Sequence, residues 1–279
     1  MKSLRKLRNS FESKAEAEVN IHQTAIVDPD AQLGSGVEIG AYSIVGPNTV
    51  IGDNTVIESH VIIEPYTTVG KECRIGSGAI LGGKPQDNKF KGERSYVTIG
   101  NNNIIREYVT IHRATGEENA TTIGDNNMLM AYCHVGHNCI LGSGIMMANM
   151  VGISGHVIVE DKVVFGGMVG VHQFVRIGKL AMAGGYSKVA QDIPPFMMAD
   201  GRPMKVYDLN VIGLRRSGVP AGVRSGLKQA YKLLYRSNLN LSQAIEGIEN
   251  DVEPSPERDY LLEFVRNIKF GVNGRTGNR

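Results

Sequence analysis

The sequence contains few cysteines, no tryptophan and no excess of one charge sign. Three cysteines in 279 residues are too few for a disulfide framework, so we expect a reducing compartment, the cytoplasm. The 30 Lys and Arg residues nearly balance the 28 Asp and Glu residues, and the resulting charge of +2 gives no support for nucleic-acid binding. Charged residues make up only 21% of the chain, which excludes the charge-rich composition of disordered proteins.

Long hydrophobic runs are also missing. The longest uncharged stretch, residues 139–159, is interrupted by Asn149, Ser154 and several glycines, so we expect no membrane span. Basic residues occur within the first eight positions, but the apolar segment of a signal peptide does not follow them. We therefore expect residues 1–20 to form an N-terminal extension rather than a targeting sequence.

Glycine, by contrast, is abundant, with 34 residues, and it recurs in a pattern. An aliphatic side chain returns at every sixth position from Ile21 to Leu81 and again from Ile123 to Val189, often followed by glycine. This period fits neither a helix nor a plain alternating strand, and it is typical of hexapeptide-repeat β-helices. We predict a triangular prism over residues 21–195, in which three hexads, or 18 residues, make one coil.

Two polar segments, residues 83–96 and 116–121, interrupt the hexads. Loops that leave a rigid solenoid commonly bind ligands, so we expect both to lie near a site. The hexads end at Pro194 and Pro195, and helical spacing follows. We predict a small C-terminal α-helical domain over residues 196–279, with helices at Leu209–Arg216, Pro220–Arg236, Leu241–Asn250 and from Pro256.

Histidines cluster in the second run of hexads. Four of the seven fall there: His134, His137, His156 and His172. Coil counting places Gly155 directly above His137 and Gln173 one coil higher, so these residues should share one edge of the prism. A neutral imidazole suits a general base, but it is also a common zinc ligand, and polar residues without function occur on solenoid edges. Spacing alone leaves these alternatives open.

Seven segments together carry a resemblance that covers nearly the whole chain: GGKPQDNKFKGE (82–93), VTIHRAT (109–115), AYCHVGHNC (131–139), ISGHV (153–157), GVHQF (170–174), QDIPPF (191–196) and NVIGLRRSG (210–218). In these motifs and in their order, the sequence resembles the UDP-N-acetylglucosamine acyltransferases, which catalyse the first committed step of lipid A synthesis. The resemblance implies a mainly β fold, a left-handed parallel β-helix followed by a small α-helical domain.

The resemblance also implies roles for individual residues. His137 would be the general base that deprotonates the sugar 3-hydroxyl for attack on an acyl-carrier-protein thioester, and the Gly155 N–H would stabilise the oxyanion. Gly185 matches the position that limits acyl length. The remaining matches would contact the substrates: Asp87, Lys89, His134, His156, His172, Gln173, Asn210 and Arg216.

Family membership would bring partners as well. The implied substrates are a UDP-sugar and acyl carrier protein, whose pantetheine arm supplies the activated thioester, so no metal or redox cofactor is expected. The acidic carrier would dock on basic residues of the helical region, between Arg215 and Arg236. Family members are homotrimers with sites between neighbouring prisms, and we expect the same assembly here.

The sequence departs from the family pattern at two positions. Asn138 follows the expected base where an aspartate is common, and an amide stabilises an imidazolium less well than a carboxylate does. One alternative is therefore an N-acyltransferase for a 3-amino UDP-sugar, whose nucleophile needs less activation. Ser217 also replaces an arginine found in some members, which removes one cation from the expected substrate or carrier site.

Three other functions remain as alternatives. The sister enzyme that N-acylates a UDP-glucosamine already bearing one chain has an extra N-terminal domain, and hexads that begin at Ile21 leave no room for one. A zinc hydratase on the same prism would bind its metal through histidines of two subunits. A scaffold without enzymatic activity would not need His137 at all.

Overall fold

The computed structural model describes residues 18–270, so most of the expected N-terminal extension lies outside the described residues. Short strands alternate with turns and form three sheets, the sides of a triangular prism. The first sheet contains Asn20–Ile21, Glu38–Ile39, Val56–Ile57, Arg74–Ile75, Ile104–Ile105, Met128–Leu129, Met146–Met147, Val164–Phe165, Met182–Ala183, Met197–Gly201 and Met204–Leu209. The second contains Ile26–Val27, Ile44–Val45, Ile62–Ile63, Ile80–Gly83, Thr110–His112, His134–Val135, Gly152–Ile153, Gly170–Val171 and Lys188–Val189. The third contains Gln32–Leu33, Val50–Ile51, Thr67–Val69, Tyr96–Ile99, Ala120–Ile123, Ile140–Leu141, Ile158–Val159 and Arg176–Ile177.

Strands of successive coils pair in parallel, and the predicted 18-residue register holds wherever no loop intervenes. His134 pairs with Gly152, for example, and Gly152 with Gly170. Both interruptions of the hexads lengthen one coil: Val69 pairs with Ile99, and Ile99 with Ile123. The first loop, residues 84–95, and the second loop, residues 113–119, account for these longer spacings. Both loops leave the prism at the same corner.

The core lies along the axis of the prism, as the hexads predict. From Ile39 to Val189, the aliphatic hexad residues are at most 3% exposed, and burial of each such side chain contributes about 1.5–3 kcal/mol. Strands of two residues have no independent stability, so coil stacking holds the prism together. All three cysteines are buried and unpaired, and burial raises the pKa of the Cys133 thiol to about 11. They are therefore packing residues.

The first sheet continues past the end of the hexads. Met197–Gly201 pairs with Met182–Ala183, and Met204–Leu209 returns antiparallel to it. The sequence analysis missed this hairpin, so the helix expected from Leu209 begins two residues later. Four helices follow: α1 at Val211–Arg216, α2 at Ala221–Tyr235, α3 at Leu241–Asp251 and α4 at Pro256–Phe270. Within residues 18–270, none of these helices has the length and apolar composition that a bilayer crossing requires.

Helix α4 is fastened to the prism by a partly buried ionic cluster. Glu160 accepts a hydrogen bond from the Tyr260 hydroxyl at 2.7 Å and pairs with Arg176 at 2.6 Å. The Lys179 ammonium lies 3.7 Å from the centre of the Tyr260 ring. These contacts fix the helical region against the last coils of the prism, although the predicted domain boundary at residue 195 remains a prediction.

Candidate active site

The predicted site residues must be placed on the three edges of the prism. We call the corner between the second and third sheets the histidine edge, because His137 lies there. The corner between the third and first sheets is called the capped edge, because side chains cap its turns. The remaining corner, between the first and second sheets, is the tyrosine edge, with Tyr42, Tyr108, Tyr132 and Tyr186. Six of the predicted site residues lie at or beside the histidine edge: His134, His137, Gly155, His156, His172 and Gln173.

His137 and Gly155 are direct neighbours, as coil counting predicts. His137 is only 5% exposed, and its ring lies flat against the glycine: a Cβ built on Gly155 would lie 2.5 Å from Nε2 of His137. The backbone is tied at the same place, because the His156 N–H donates to the His137 carbonyl at 2.9 Å. Glycine is therefore required at position 155 for the imidazole to occupy this position.

The structure also determines which nitrogen of His137 carries the proton. The Asn138 amide donates through Nδ2 to the Thr115 carbonyl at 3.0 Å and accepts through Oδ1 from the Thr115 N–H at 2.9 Å. Its orientation is thus fixed by the backbone. Oδ1 can only accept a hydrogen bond, and it lies 2.8 Å from Nδ1 of His137. Nδ1 is therefore the donor, and Nε2 keeps its lone pair, as a general base requires.

The N–H of Gly155 has no acceptor among residues 18–270. On the capped edge, the equivalent N–H is satisfied by a side chain of the next coil; the Ser35 N–H, for example, donates to Oδ1 of Asp53 at 3.1 Å. A free backbone donor beside an imidazole lone pair is the arrangement that stabilises a tetrahedral oxyanion in acyl transfer.

The neighbouring histidines complete an uncharged wall. His156 meets the His137 ring edge to face, with centroids 5.2 Å apart, and stacks on Phe174 at 5.0 Å. His134 is held by Thr110, whose Oγ1 lies 2.8 Å from Nδ1. Burial, followed by the proximity of His137, lowers the pKa of both His134 and His156. These rings are therefore neutral at neutral pH and can form hydrogen bonds with a sugar.

His112 belongs to the same cluster, and the sequence analysis did not single it out. Its ring contacts His134 with centroids 4.8 Å apart, and burial together with the nearby His134 and His137 lowers its pKa to about 4. The signal was present in the sequence but displaced. The second loop puts Thr110 beside His134 at a spacing of 24 residues, so counting back by 18 reaches the loop instead.

The first loop brings a carboxylate to this edge. Asp87 is half-buried and accepts a hydrogen bond from the Lys89 N–H at 3.0 Å. That bond, more than the nearby His137, lowers the pKa of Asp87, so the group is a carboxylate at neutral pH. The Lys89 side chain is exposed on the same loop. A carboxylate and an ammonium thus flank the histidines, as the resemblance implies.

Three predicted site residues lie elsewhere in the chain. Gly185 is exposed on the tyrosine edge, and Arg216 is exposed at the end of α1. Asn210 is buried and caps α1: its Oδ1 accepts from the Gly213 N–H at 2.9 Å, and its Nδ2 donates to the Leu180 carbonyl at 2.8 Å. No contact among the described residues joins these three to His137. Their substrate roles remain predictions.

Metal binding has less geometric support than acid–base chemistry. Within residues 18–270, no three His, Cys, Asp or Glu side chains converge as a metal site. Nδ1 of His137 and Nδ1 of His134 both contact neighbouring side chains, and this fixes the two rings for hydrogen bonding. The arrangement suits proton transfer and oxyanion stabilisation at one carbonyl carbon.

Comparison with known proteins agrees with this chemistry. Residues 192–273 match the model of the second domain of UDP-N-acetylglucosamine O-acyltransferase, and residues 18–53 and 120–155 match the bacterial transferase hexapeptide model. An acyl-[acyl-carrier-protein]–UDP-N-acetylglucosamine O-acyltransferase from Verminephrobacter eiseniae is 47% identical over 248 residues, which cover 88% of this chain and 95% of the relative.

Solved structures match over the same extent. LpxA from Bacteroides fragilis, a UDP-N-acetylglucosamine acyltransferase, has a TM-score of 0.86 at 38% identity, and LpxA from Acinetobacter baumannii has 0.85 at 41%. Each alignment covers 88% of this chain and 96% of the other. The expected fold class, a left-handed parallel β-helix followed by helices, is confirmed. The chain belongs to the UDP-N-acetylglucosamine O-acyltransferase family.

Proposed function

We propose that the protein transfers a 3-hydroxyacyl chain from acyl carrier protein to the 3-hydroxyl of UDP-N-acetylglucosamine, the first step of lipid A synthesis. Its relatives are named for this acyl-carrier-protein-dependent O-acyltransfer, and they cover nearly the whole chain. One observation carries the proposal at the atomic level: the lone pair on Nε2 of His137 lies beside the free N–H of Gly155.

The reaction follows from these two groups. Nε2 of His137 takes the proton of the sugar 3-hydroxyl as its oxygen bonds to the thioester carbonyl carbon. The carbonyl oxygen becomes an oxyanion, which accepts a hydrogen bond from the Gly155 N–H. When the tetrahedral intermediate collapses, the carbon–sulfur bond breaks, and the imidazolium returns its proton to the departing thiolate. The products are the 3-O-acyl sugar nucleotide and carrier protein with a free pantetheine thiol.

The surrounding residues would position the acceptor. Asp87 and His134 offer acceptor and donor groups to sugar hydroxyls, while the Lys89 ammonium suits a phosphate of the nucleotide. His156, His172 and Gln173 extend the polar surface along the same edge. The acyl group arrives activated as a thioester, so the reaction balances without a metal or redox cofactor.

A homotrimer accounts for the residues that lie away from the histidine edge. Gly185 lies on a different edge of the prism from His137, and Asn210 is fastened to Leu180 on the capped edge. If these residues act on the same substrates, a neighbouring prism must present them. We propose that three copies pack side by side, with each cleft formed by the histidine edge of one copy and an adjacent face of the next.

The exposed cations of the helical region support docking of the acidic carrier. Arg215 and Arg216 end α1 and are exposed, whereas Lys228 pairs with Asp208 and Arg236 donates to the Tyr207 carbonyl. The first two are therefore the better candidates for contact with the carrier. Three buried, unpaired cysteines agree with the reducing cytoplasm as the proposed location.

The test is an acyl-transfer assay analysed by mass spectrometry. Purified protein is incubated with carrier proteins bearing 3-hydroxyacyl chains of several lengths and with either UDP-N-acetylglucosamine or its 3-amino analogue. We expect an ester product that His137→Ala does not form. Strong preference for the amino sugar would instead support the N-acyltransferase that Asn138 suggests. Absence of product with every donor and acceptor would contradict the proposal.

A further inference from the structure

The two loops that interrupt the hexads are fastened to each other. At the start of the first loop, the Arg113 N–H donates to the Gly83 carbonyl at 2.9 Å. Near its end, Glu93 accepts from the Gly116 N–H at 2.8 Å, and the Glu118 N–H donates to the Arg94 carbonyl at 2.9 Å. The second loop therefore serves as the base on which both ends of the first loop are anchored.

The middle of the first loop rests on a single side chain of that base. The Arg113 guanidinium carbon lies 5.4 Å from the centre of the Phe90 ring. Phe90 follows Lys89 directly, and its N–H donates to the Asp87 carbonyl at 3.0 Å, which closes the turn that carries both substrate-facing residues. Displacement of the ring would therefore move this whole turn.

Arg113 also has an unusual environment. Its Nε is buried and has no hydrogen-bond partner within the described part of the chain, and none of the ion pairs found there includes it. A partly buried guanidinium without a carboxylate partner is costly, so the aromatic contact is a main stabilising interaction of its charge. Two residues further on, the Thr115 backbone fixes Asn138 and thereby His137.

We propose that Arg113 is a positioning residue for acyl transfer, because its guanidinium holds Phe90 and keeps the first loop over the histidine edge. The segment 113–115 then sets both halves of the site in one piece: its backbone orients the base through Asn138, and its arginine orients the acceptor-binding turn. This inference rests on the proposed function and adds to it a residue that need not touch the substrate.

The kinetic test compares KM values for the two substrates. Arg113→Met and Phe90→Leu should each raise KM for UDP-N-acetylglucosamine about tenfold, with kcat and the KM for acyl carrier protein little changed. Phe90→Tyr keeps the ring and should restore wild-type KM. The double variant should be no worse than either single one, since both remove the same contact. Arg106→Met, which breaks an exposed ion pair with Glu107, is the matched control.

Hydrogen–deuterium exchange provides a readout that does not depend on activity. Peptides covering residues 84–95 should exchange faster in Arg113→Met and in Phe90→Leu, while exchange in the prism strands is unchanged. Unchanged sugar KM, additive effects of the two substitutions or unchanged exchange in the loop would each overturn the role of Arg113. If wild-type protein forms no product, the proposed function fails, whereas the exchange experiment still decides whether Arg113 holds the loop.

Discussion

On the capped edge of the prism, the first N–H of successive turns donates to a side chain of the next coil. Five such bonds run in series, between Ser35 and Asp53, Lys71 and Asn101, Asn101 and Asp125, Asp125 and Ser143, and Ser143 and Asp161. The histidine edge has the same turn backbone, but there the Gly155 N–H has no acceptor within residues 18–270. One edge satisfies its own polar groups, and the other leaves them for a substrate.

The buried polar side chains show the same difference. Four buried side-chain atoms lack a hydrogen-bond partner in the described part of the chain: Thr67 Oγ1, His112 Nδ1, Arg113 Nε and Thr115 Oγ1. All four residues lie at the histidine edge or on the loop that leaves it. Since buried polar groups in native proteins are nearly always paired, such a concentration indicates where ligand or water completes the structure.

The largest expected effect comes from removal of the base. His137→Ala should lower kcat by about 10²–10⁴-fold, because the sugar hydroxyl then loses its proton acceptor. Steady-state kinetics with saturating substrates measure the change. His60→Ala is the matched control, since His60 stacks on Tyr42 at the tyrosine edge. Comparable losses in both variants would show that the histidine edge has no special role.

Gly155→Ala should be nearly as damaging. The new Cβ would lie 2.5 Å from Nε2 of His137, so the imidazole must move away from the oxyanion donor. We expect a loss of about 10²-fold in kcat with little change in thermal stability. Gly222→Ala in α2, where a Cβ would contact nothing within 4 Å, serves as control. An active Gly155→Ala protein would rule out the close approach on which the mechanism depends.

Asn138→Asp should change the pH dependence more than the maximal rate. A carboxylate oxygen still accepts from Nδ1 of His137 and stabilises the imidazolium, so the acid limb of the kcat/KM profile should move up by about one pH unit. The new side chain no longer donates to the Thr115 carbonyl, which limits any gain in rate. An unchanged acid limb would argue that the Asn138 contact does not influence the base.

These substitutions address the part of the site that the sequence predicts well. The hexads define the prism and its register, and beyond Ile123 the coils are uninterrupted, so counting by 18 places Gly155 on His137 correctly. Between Leu81 and Ile123 the two loops change the spacing, and His112 and Arg113 were missed there for that reason. The capping role of Asn210 depends on the hairpin at residues 197–209, whose strands carry no hexad pattern.

On the capped edge, substitutions should affect stability and not activity. Asp125→Ala removes the acceptor that lies 2.6 Å from the Asn101 N–H, so the free energy of unfolding should fall by about 1 kcal/mol. Urea denaturation measures this change, and kcat should stay at its wild-type value. A large loss of activity in a folded Asp125→Ala protein would contradict the division between the two edges.

The smallest effect concerns the pH dependence of stability. The pKa of His112 falls from 6.5 to about 4 in the folded protein, so below pH 6.5 the unfolded chain takes up a proton that the folded chain does not. The free energy of unfolding should therefore decrease from pH 7 to pH 5 through this residue. His112→Gln should show a weaker decrease in urea titrations at the two pH values. Equal decreases would mean that His112 is not held neutral by the fold.

The central claim is that the acyl-transfer site is the unsatisfied histidine edge. A crystal structure with the 3-O-acyl UDP-N-acetylglucosamine product tests it most directly. We predict that the sugar 3-oxygen lies within hydrogen-bonding distance of Nε2 of His137 and that the ester carbonyl oxygen accepts from the Gly155 N–H. A product bound at the capped edge, or one with its ester away from both groups, would contradict the account.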